Sequence, residues 1–414
     1  MTNVKKLKIA APTTAGQIVL VFQGGGALGA YQAGVYQALH EAGIEPDWII
    51  GTSIGAINAA LIAGNEPQRR LSAIEDFWKR MADKSPLYSW PGFGLAAHAI
   101  SNWQTITGGI KGFFEPQPLA FFGPWIELGA EHAGYYSTAP LEKTLSELVD
   151  FGLINRNRPR LTVGAAHVRT SQMRYFDTRQ GEIGVEHIMA SGALPPAFPA
   201  VRIDGDLYWD GGILSNTPAE VIFDDHPRRN SLVFSVHLWN PIGPEPQTMS
   251  DVALRHKDIQ YSSRVATHIL RQAQIHRLRH VIKELTAYVP ESVRKSDEVQ
   301  KLAAYACVTK MHIVQLLSPS LEHEDQTKDI DFSLTDIRQR WQAGYERTLK
   351  TIELAPWTNE SDPLEGVVFH ELEDVLPADK VAQASGQSEP QLTDLDRNGP
   401  ARTTETTARA SMAK

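Results

Sequence analysis

The chain has 414 residues, 42% of them hydrophobic, enough for one large domain with an added region or for two domains. A formal net charge of −8 argues against nucleic acid as the main partner, because phosphate binding needs concentrated Lys and Arg. A single cysteine, Cys307, allows no intrachain disulfide and reads as a small buried hydrophobe.

The N-terminal stretch carries lysines but no apolar run long enough for a signal peptide, so a cytoplasmic protein is expected. The most membrane-like run, residues 49–64, is too short to span and is interrupted by Thr52, Ser53 and Asn58. Residues 18–22, IVLVF, predict a strand buried on both faces. A Gly-rich turn follows, then a helical pattern ending at Gly43. DWIIGTS gives a second short strand and IGAINAALIAG a second helix, and this repetition means parallel α/β. Residues 85–127 break the pattern with Gly, Pro and aromatics of no sustained period. Among them Trp90, Phe93, Trp103, Phe113, Phe114, Phe121, Phe122 and Trp125 are candidates for a lid or acyl wall, or equally for packed core.

Regular elements return with a helix at 138–149, strands at 160–168 and 173–178, and a helix at 185–195 stopped by Pro195 and Pro196. Residues 231–239 read as another buried strand. Beyond Pro241 come a long amphipathic helix (250–290), a candidate strand at 311–317 and a helix at 334–354. From about 378 the composition is that of a disordered tail. The expected division is therefore a catalytic region over 17–240, a mostly helical extension over 241–377 packed on it, and a tail over 378–414.

Gly24, Gly26 and Gly29 have the GxGxxG spacing of a dinucleotide-binding turn. That reading wants an acidic residue at the carboxyl end of the second strand, whereas Asp47 lies at its amino end. The carboxyl end instead carries GTSIG, a G-x-S-x-G box between strand and helix, the setting in which a sharp turn lifts a serine hydroxyl above the sheet. Ser53 is the candidate nucleophile. The glycine loop then suits a different negative charge: the N–H groups of Gly24, Gly25 and Gly26 form a candidate oxyanion hole. A serine needs a base. His167 and His237 are positions to weigh, but Asp210, held by the two glycines of WDGG, is the stronger candidate, because a carboxylate can accept the hydroxyl proton directly.

GGGALG, GTSIG and DGG, in this order, with SGALPPAFPAV just before the last, resemble the patatin-like phospholipases over about residues 17–240. The resemblance implies a modified α/β-hydrolase fold with a mainly parallel central sheet flanked by helices. It implies a Ser53–Asp210 dyad, oxyanion donors at Gly24, Gly25 and Gly26, and supporting motif glycines at Gly29, Gly51, Gly55, Gly211 and Gly212. The expected activity is that of a serine lipid acyl hydrolase working through an acyl-enzyme, with no cofactor and no metal. The fifth residue of the glycine motif, often Arg or Lys in that family, is Leu28 here, which removes a side-chain charge from the oxyanion region. The residues beyond 241 resemble the C-terminal extension of a bacterial subgroup.

Two further features have bland readings. The HRLRH run, 276–280, lacks the Glu and third ligand of a zinc site and reads as a solvated helix face. The basic helix with Arg255, Lys257, Arg264, Arg271, Arg277, Arg279 and Lys283 suits an anionic lipid surface or merely solvent. The expected partner is a lipid or acyl-ester substrate with peripheral membrane contact at most. A soluble carboxylesterase or thioesterase, an NAD-binding oxidoreductase and an inactive scaffold stand as the alternatives.

Overall fold

A computed structural model describes residues 16–82, 107–321, 324–362 and 364–371, with the backbone alone for 263–268. The apolar runs become strands: β1 (Gln17–Phe22), β2 (Trp48–Thr52), the short β3 (Glu115–Pro116) and β4 (Tyr136–Ser137), β5 (Arg160–His167), β6 (Met173–Asp177) and β7 (Val201–Ile203). β8 (Asp206–Asp210), β9 (Ser231–His237), β10 (Met311–Leu317) and β11 (Val367–His370) follow. Apart from the β3–β4 pair, they form one sheet in the order β11-β10-β9-β1-β2-β5-β8-β7, with β6 pairing β5. From β11 to β5 every pairing is parallel; β6, β7 and β8 are antiparallel additions at one side.

Period-two alternation divides β1 between two cores. Leu20 and Phe22 join the apolar faces of α1 (Ala30–Glu41), α2 (Ile54–Ala63) and α3 (Pro67–Met81). Val19 and Val21 pack on the opposite side with Ile222, Phe223 and Ile269, the last from the long helix Met249–Tyr288. Because both faces are covered, the strands need no polar side, and β2 is buried at all five positions.

The region after Pro241 is part of this architecture. β10 pairs with β9 along seven residues, β11 extends the edge, and the helix Leu334–Leu354 packs along α1, where Trp341 donates to Gln37 at 2.6 Å and Tyr345 to Glu41 at 2.7 Å. The sheet is thus mainly parallel with helices on both faces. The expected helix at 185–195 is the shorter Val185–Ser191, and the expected strand at 231–239 stops at His237. α3, β7, β8 and β11 have no counterpart in the elements read from the sequence. Trp90, Phe93, Trp103 and the proposed tail lie outside the described residues.

The solvated reading of HRLRH is overturned. His276 and His280 are buried, and the Nε2 atoms of both approach the carbonyl of Thr309 at 2.8 and 3.0 Å. No group of three or more His, Cys, Asp or Glu among the described residues is arranged to hold a metal ion.

Candidate active site

The register of the sheet brings the three motifs to one rim. Phe22 pairs with Gly51, so the carboxyl ends of β1 and β2 lie side by side and the loops after them are neighbours. Thr52 pairs with Gly164 of β5, and Ala165, the next residue, pairs with Asp210 at the end of β8. Ser53 follows Thr52 directly. Residues far apart in sequence therefore meet because β1, β2 and β8 end at one level of the sheet, beside Gly164 and Ala165 of β5.

Ser53 occupies the left-handed region, φ 57° and ψ −128°, at the N-cap of α2. Such a conformation costs a non-glycine residue about 1–3 kcal/mol and persists only where its surroundings over-determine it. Here the Ser53 N–H donates to Ser191 Oγ at 2.9 Å, whose own hydroxyl donates to Gly164 O at 2.7 Å, while Ala56 and Ile57 close the first helical turn on Ser53 O. Gly55 is required by close approach, since a Cβ there would stand 2.4 Å from the Phe22 carbonyl oxygen. Gly51 is the penultimate residue of β2, beside it, and Gly29 leads into α1.

The Ser53 side chain stands beside the Asp210 carboxylate and favours its charged form, and Asp210 accepts the Gly212 N–H at 2.7 Å. Gly211 and Gly212 form the turn that follows the carboxylate. Asp210 is buried, and that burial raises its pKa to about 7 against the lowering influence of the Ser53 hydroxyl and the Gly212 N–H. Neither histidine considered from the sequence lines the cavity above the serine. Nε2 of His237 meets Ser235 Oγ at 2.9 Å, and burial lowers the imidazole pKa to about 4; His167 lies 3.5 Å from Asp206.

The glycine loop is held by its carbonyls. Gln32 donates to Gln23 O at 2.6 Å, Asn216 and Trp239 donate to Gly24 O at 3.1 and 2.8 Å, and Asn58 donates to Gly29 O at 3.0 Å. In a trans peptide the N–H points opposite to the carbonyl of the same plane. Anchoring Gly24 O therefore turns the Gly25 N–H away from Asn216 and Trp239, and the bond from Leu28 N to Gly25 O does the same for the Gly26 N–H. Among the described residues no bond engages either N–H. The Gly24 N–H, expected from the sequence to be a third donor, instead donates to Asn216 O at 3.1 Å. Leu28 is buried in the core, so this position serves packing. Asp47 accepts the Ile18 N–H at 2.8 Å at the amino edge, remote from the loop, which removes the ribose-binding acid that a dinucleotide site needs.

Ser53, Asp210 and Gly24 to Gly26 lie at one wall of a cavity of about 210 Å³. The other walls are mainly apolar, with Ile54, Ile57, Phe113, Phe114, Leu194, Phe198 and Phe332, and Asn216, Tyr261 and Asp329 add polar groups. Phe113 and Phe114 thus line this cavity, while Phe121, Phe122 and Trp125 are exposed. Gln23, Ser191 and Asn216 support the site without having been singled out from the sequence. The signal available was polarity: a buried amide before three glycines, and polar residues inside the SGALPP and LSNTP segments.

A family model described as patatin-like phospholipase matches residues 20–223, and a second described as patatin phospholipase matches residues 259–364. The chain belongs to the patatin-like phospholipase family. Within it, the chain is 26% identical over 268 residues to a lysophospholipase of Aspergillus terreus, a match covering 57% of this chain and 14% of that protein. It is 28% identical over 207 residues to an uncharacterized NTE family protein of Mycobacterium tuberculosis, covering 50% of this chain and 28% of that protein. This patatin-like chain therefore spans well under a third of these relatives' own lengths. Among solved structures, VipD from Legionella pneumophila is similar with a TM-score of 0.36 and 15% identity, over 89% of this chain and 74% of that one. No helix among the described residues is long and apolar enough to cross a membrane.

Proposed function

We propose that the chain is a serine lipid acyl hydrolase that cleaves carboxylic esters through Ser53, with Asp210 as the general base. The observation that carries this reading is the Ser53 hydroxyl, held on a turn of positive φ, beside a buried carboxylate and at the same largely apolar cavity. Asp210 takes the hydroxyl proton as Ser53 Oγ attacks the ester carbonyl. The N–H groups of Gly25 and Gly26, beside the positive end of α2, hold the oxyanion that forms. The tetrahedral intermediate expels the alcohol, which receives the proton from Asp210. A water deprotonated by the same carboxylate then attacks the acyl-enzyme, and the fatty acid leaves as Ser53 is reprotonated.

Family membership supports a lipid ester as the substrate class, and the apolar walls suit an acyl chain. A lipid surface as the partner is supported by Leu119, Phe121, Phe122 and Trp125, which are exposed on the segment leading to the cavity-lining Tyr136. The soluble-esterase alternative lacks a use for these side chains.

The test is labelling by a fluorophosphonate probe together with hydrolysis of micellar phospholipid and of short nitrophenyl esters. Wild-type protein is expected to label and to prefer the micellar lipid. Ser53→Ala and Asp210→Asn are each expected to lose at least about a thousandfold in kcat/KM, and the double variant to lose no more than the worse single one, since the two groups act as a unit. Strong labelling of Ser53→Ala overturns the choice of nucleophile, and a preference for short esters overturns the lipid reading.

A further inference from the structure

We propose that a crossed pair of ion pairs, Lys257–Asp329 and Asp258–Lys328, makes the C-terminal region a working part of the active site by fixing the oxyanion loop and the acyl wall together. This rests on the hydrolase reading above. The dipeptide Lys-Asp occurs at 257–258 in the long helix and again at 328–329 in the loop before the helix Leu334–Leu354. Lys257 Nζ lies 2.7 Å from Asp329 Oδ1, and Lys328 Nζ lies 2.8 Å from Asp258 Oδ1. Adjacent helical residues point in different directions, so two such bonds clamp the loop at two places and remove its freedom to pivot about either.

The clamp is reinforced on both sides. Lys257 also donates to Gln326 O at 2.7 Å, and the buried Lys328 approaches Glu324, which in turn accepts from the buried Arg340 at 2.9 Å. Lys328 Nζ stands 5.2 Å from the centre of the Trp239 ring, the same indole that donates to Gly24 O. Burying this much charge is costly and stabilises little by itself, so its use lies in holding a geometry.

That geometry reaches the reacting atoms. The carbonyl oxygen of Asp329 accepts the Ala27 N–H at 2.9 Å and thereby sets the Gly26–Ala27 peptide plane, next to a proposed oxyanion donor. Gly26 has φ +54°, and a Cβ there would lie 2.1 Å from that same oxygen, so loop and carbonyl are fitted at backbone contact. Ile330 and Phe332, one and three residues further on, line the cavity. One loop therefore touches both the acyl chain's wall and the peptide beside the oxyanion. A substrate whose acyl group presses on Ile330 and Phe332 loads the same segment that aims the Gly26 N–H.

Lys257 and Asp329 are positioning residues on this view, and their loss should appear in kcat. The experiment compares wild type, Lys257→Met, Lys257→Arg, Asp329→Asn and Lys257→Met/Asp329→Asn. It measures the fluorophosphonate reaction rate, kcat and KM on a short nitrophenyl ester, and the melting temperature. Lys257→Met and Asp329→Asn are each expected to lower kcat and the probe rate by about tenfold or more, as a misplacement of an ångström or less does. KM should stay within about twofold. Lys257→Arg should recover most of the loss, and the double variant should match the singles, because both remove one bond. Asp329→Asn, nearly isosteric, keeps the test valid if Lys257→Met does not fold. Folded variants that react at the wild-type rate, or that change only KM, overturn the clamp while leaving the hydrolase intact. A wild-type protein inert to probe and ester overturns the hydrolase reading itself, and the clamp's catalytic role with it.

Discussion

A carboxylate that is to take a proton from a serine hydroxyl near neutral pH works best with a pKa near that pH, and burial brings Asp210 to about 7. Two consequences differ in sign and can be measured separately. With Asp210 as the proposed base, activity requires the ionised form, so kcat/KM should rise with pH along an acid limb whose midpoint lies near 7. Stability goes the other way. The folded protein binds this proton more tightly than the unfolded chain, so the group favours folding below the ordinary carboxylate range and withdraws that support as pH rises through about 7. Asp210→Asn, which keeps an acceptor for Gly212 but cannot ionise, should therefore melt above wild type at pH 8, by a margin that shrinks toward pH 5. A margin that grows toward acid pH would mean that the carboxylate is stabilised by its surroundings. Ser53 and Asp210 are both legible as residues, because a serine between two glycines at a strand end and an Asp-Gly-Gly turn are local patterns. The donor set is less so: whether Gly24 offers its N–H depends on where Asn216 O lies, and that is a tertiary fact.

At the scale of elements, the buried parallel strands were readable because a strand covered on both faces must be apolar throughout. The boundaries of β10 and of the helix Leu334–Leu354 coincide with those expected. β8, with the sequence DLYWD, has no such run and is identified only by its pairing with β5. α3 has buried Ala73, Ile74, Phe77, Trp78 and Met81 at helical spacing, a signal present in the sequence but outside the elements read from it. HRLRH misled because its two histidines face a carbonyl about thirty residues away in sequence, and a buried imidazole with a partner looks like a solvated one when only its own helix is considered. The crossing of α1 with the helix Leu334–Leu354 is equally invisible locally. It is built backbone to backbone: a Cβ on Gly34 would meet Trp341 O at 1.9 Å, and one on Gly344 would meet Tyr31 O at 2.1 Å. Ala is the better helix former by about 1 kcal/mol, yet forcing two backbones apart costs about 1–3 kcal/mol or more, and the second effect should win. Gly344→Ala is thus expected to lower the urea midpoint, whereas Gly181→Ala, with nothing within 4 Å of the added carbon, should leave it unchanged. Equal midpoints for the two would show that the crossing yields at little cost.

Over the whole molecule, the decisive question is whether residues up to about 240 stand alone. Four contacts argue that they do not. β9 has β1 on one side and β10 on the other, so ending the chain at Asn240 leaves β9 as an unpaired edge whose Leu232, Val233, Phe234 and Val236 are all buried in the intact fold. The Phe234 ring loses the edge contact with Trp357 at 5.7 Å, and α1 loses the helix that covers Tyr31 and Val35. The glycine loop loses the Asp329 carbonyl. An exposed apolar edge strand is a template for intermolecular pairing, so association through β9 is expected before any stable monomer forms. A chain ending at Asn240 is therefore expected to aggregate, to show no cooperative melting and to take up no fluorophosphonate, whereas one ending at Glu371 retains every one of these contacts and should label as the full chain does. Cooperative melting together with labelling of the shorter chain would show that the catalytic half needs nothing from the rest, and the shared sheet would then be a matter of packing alone.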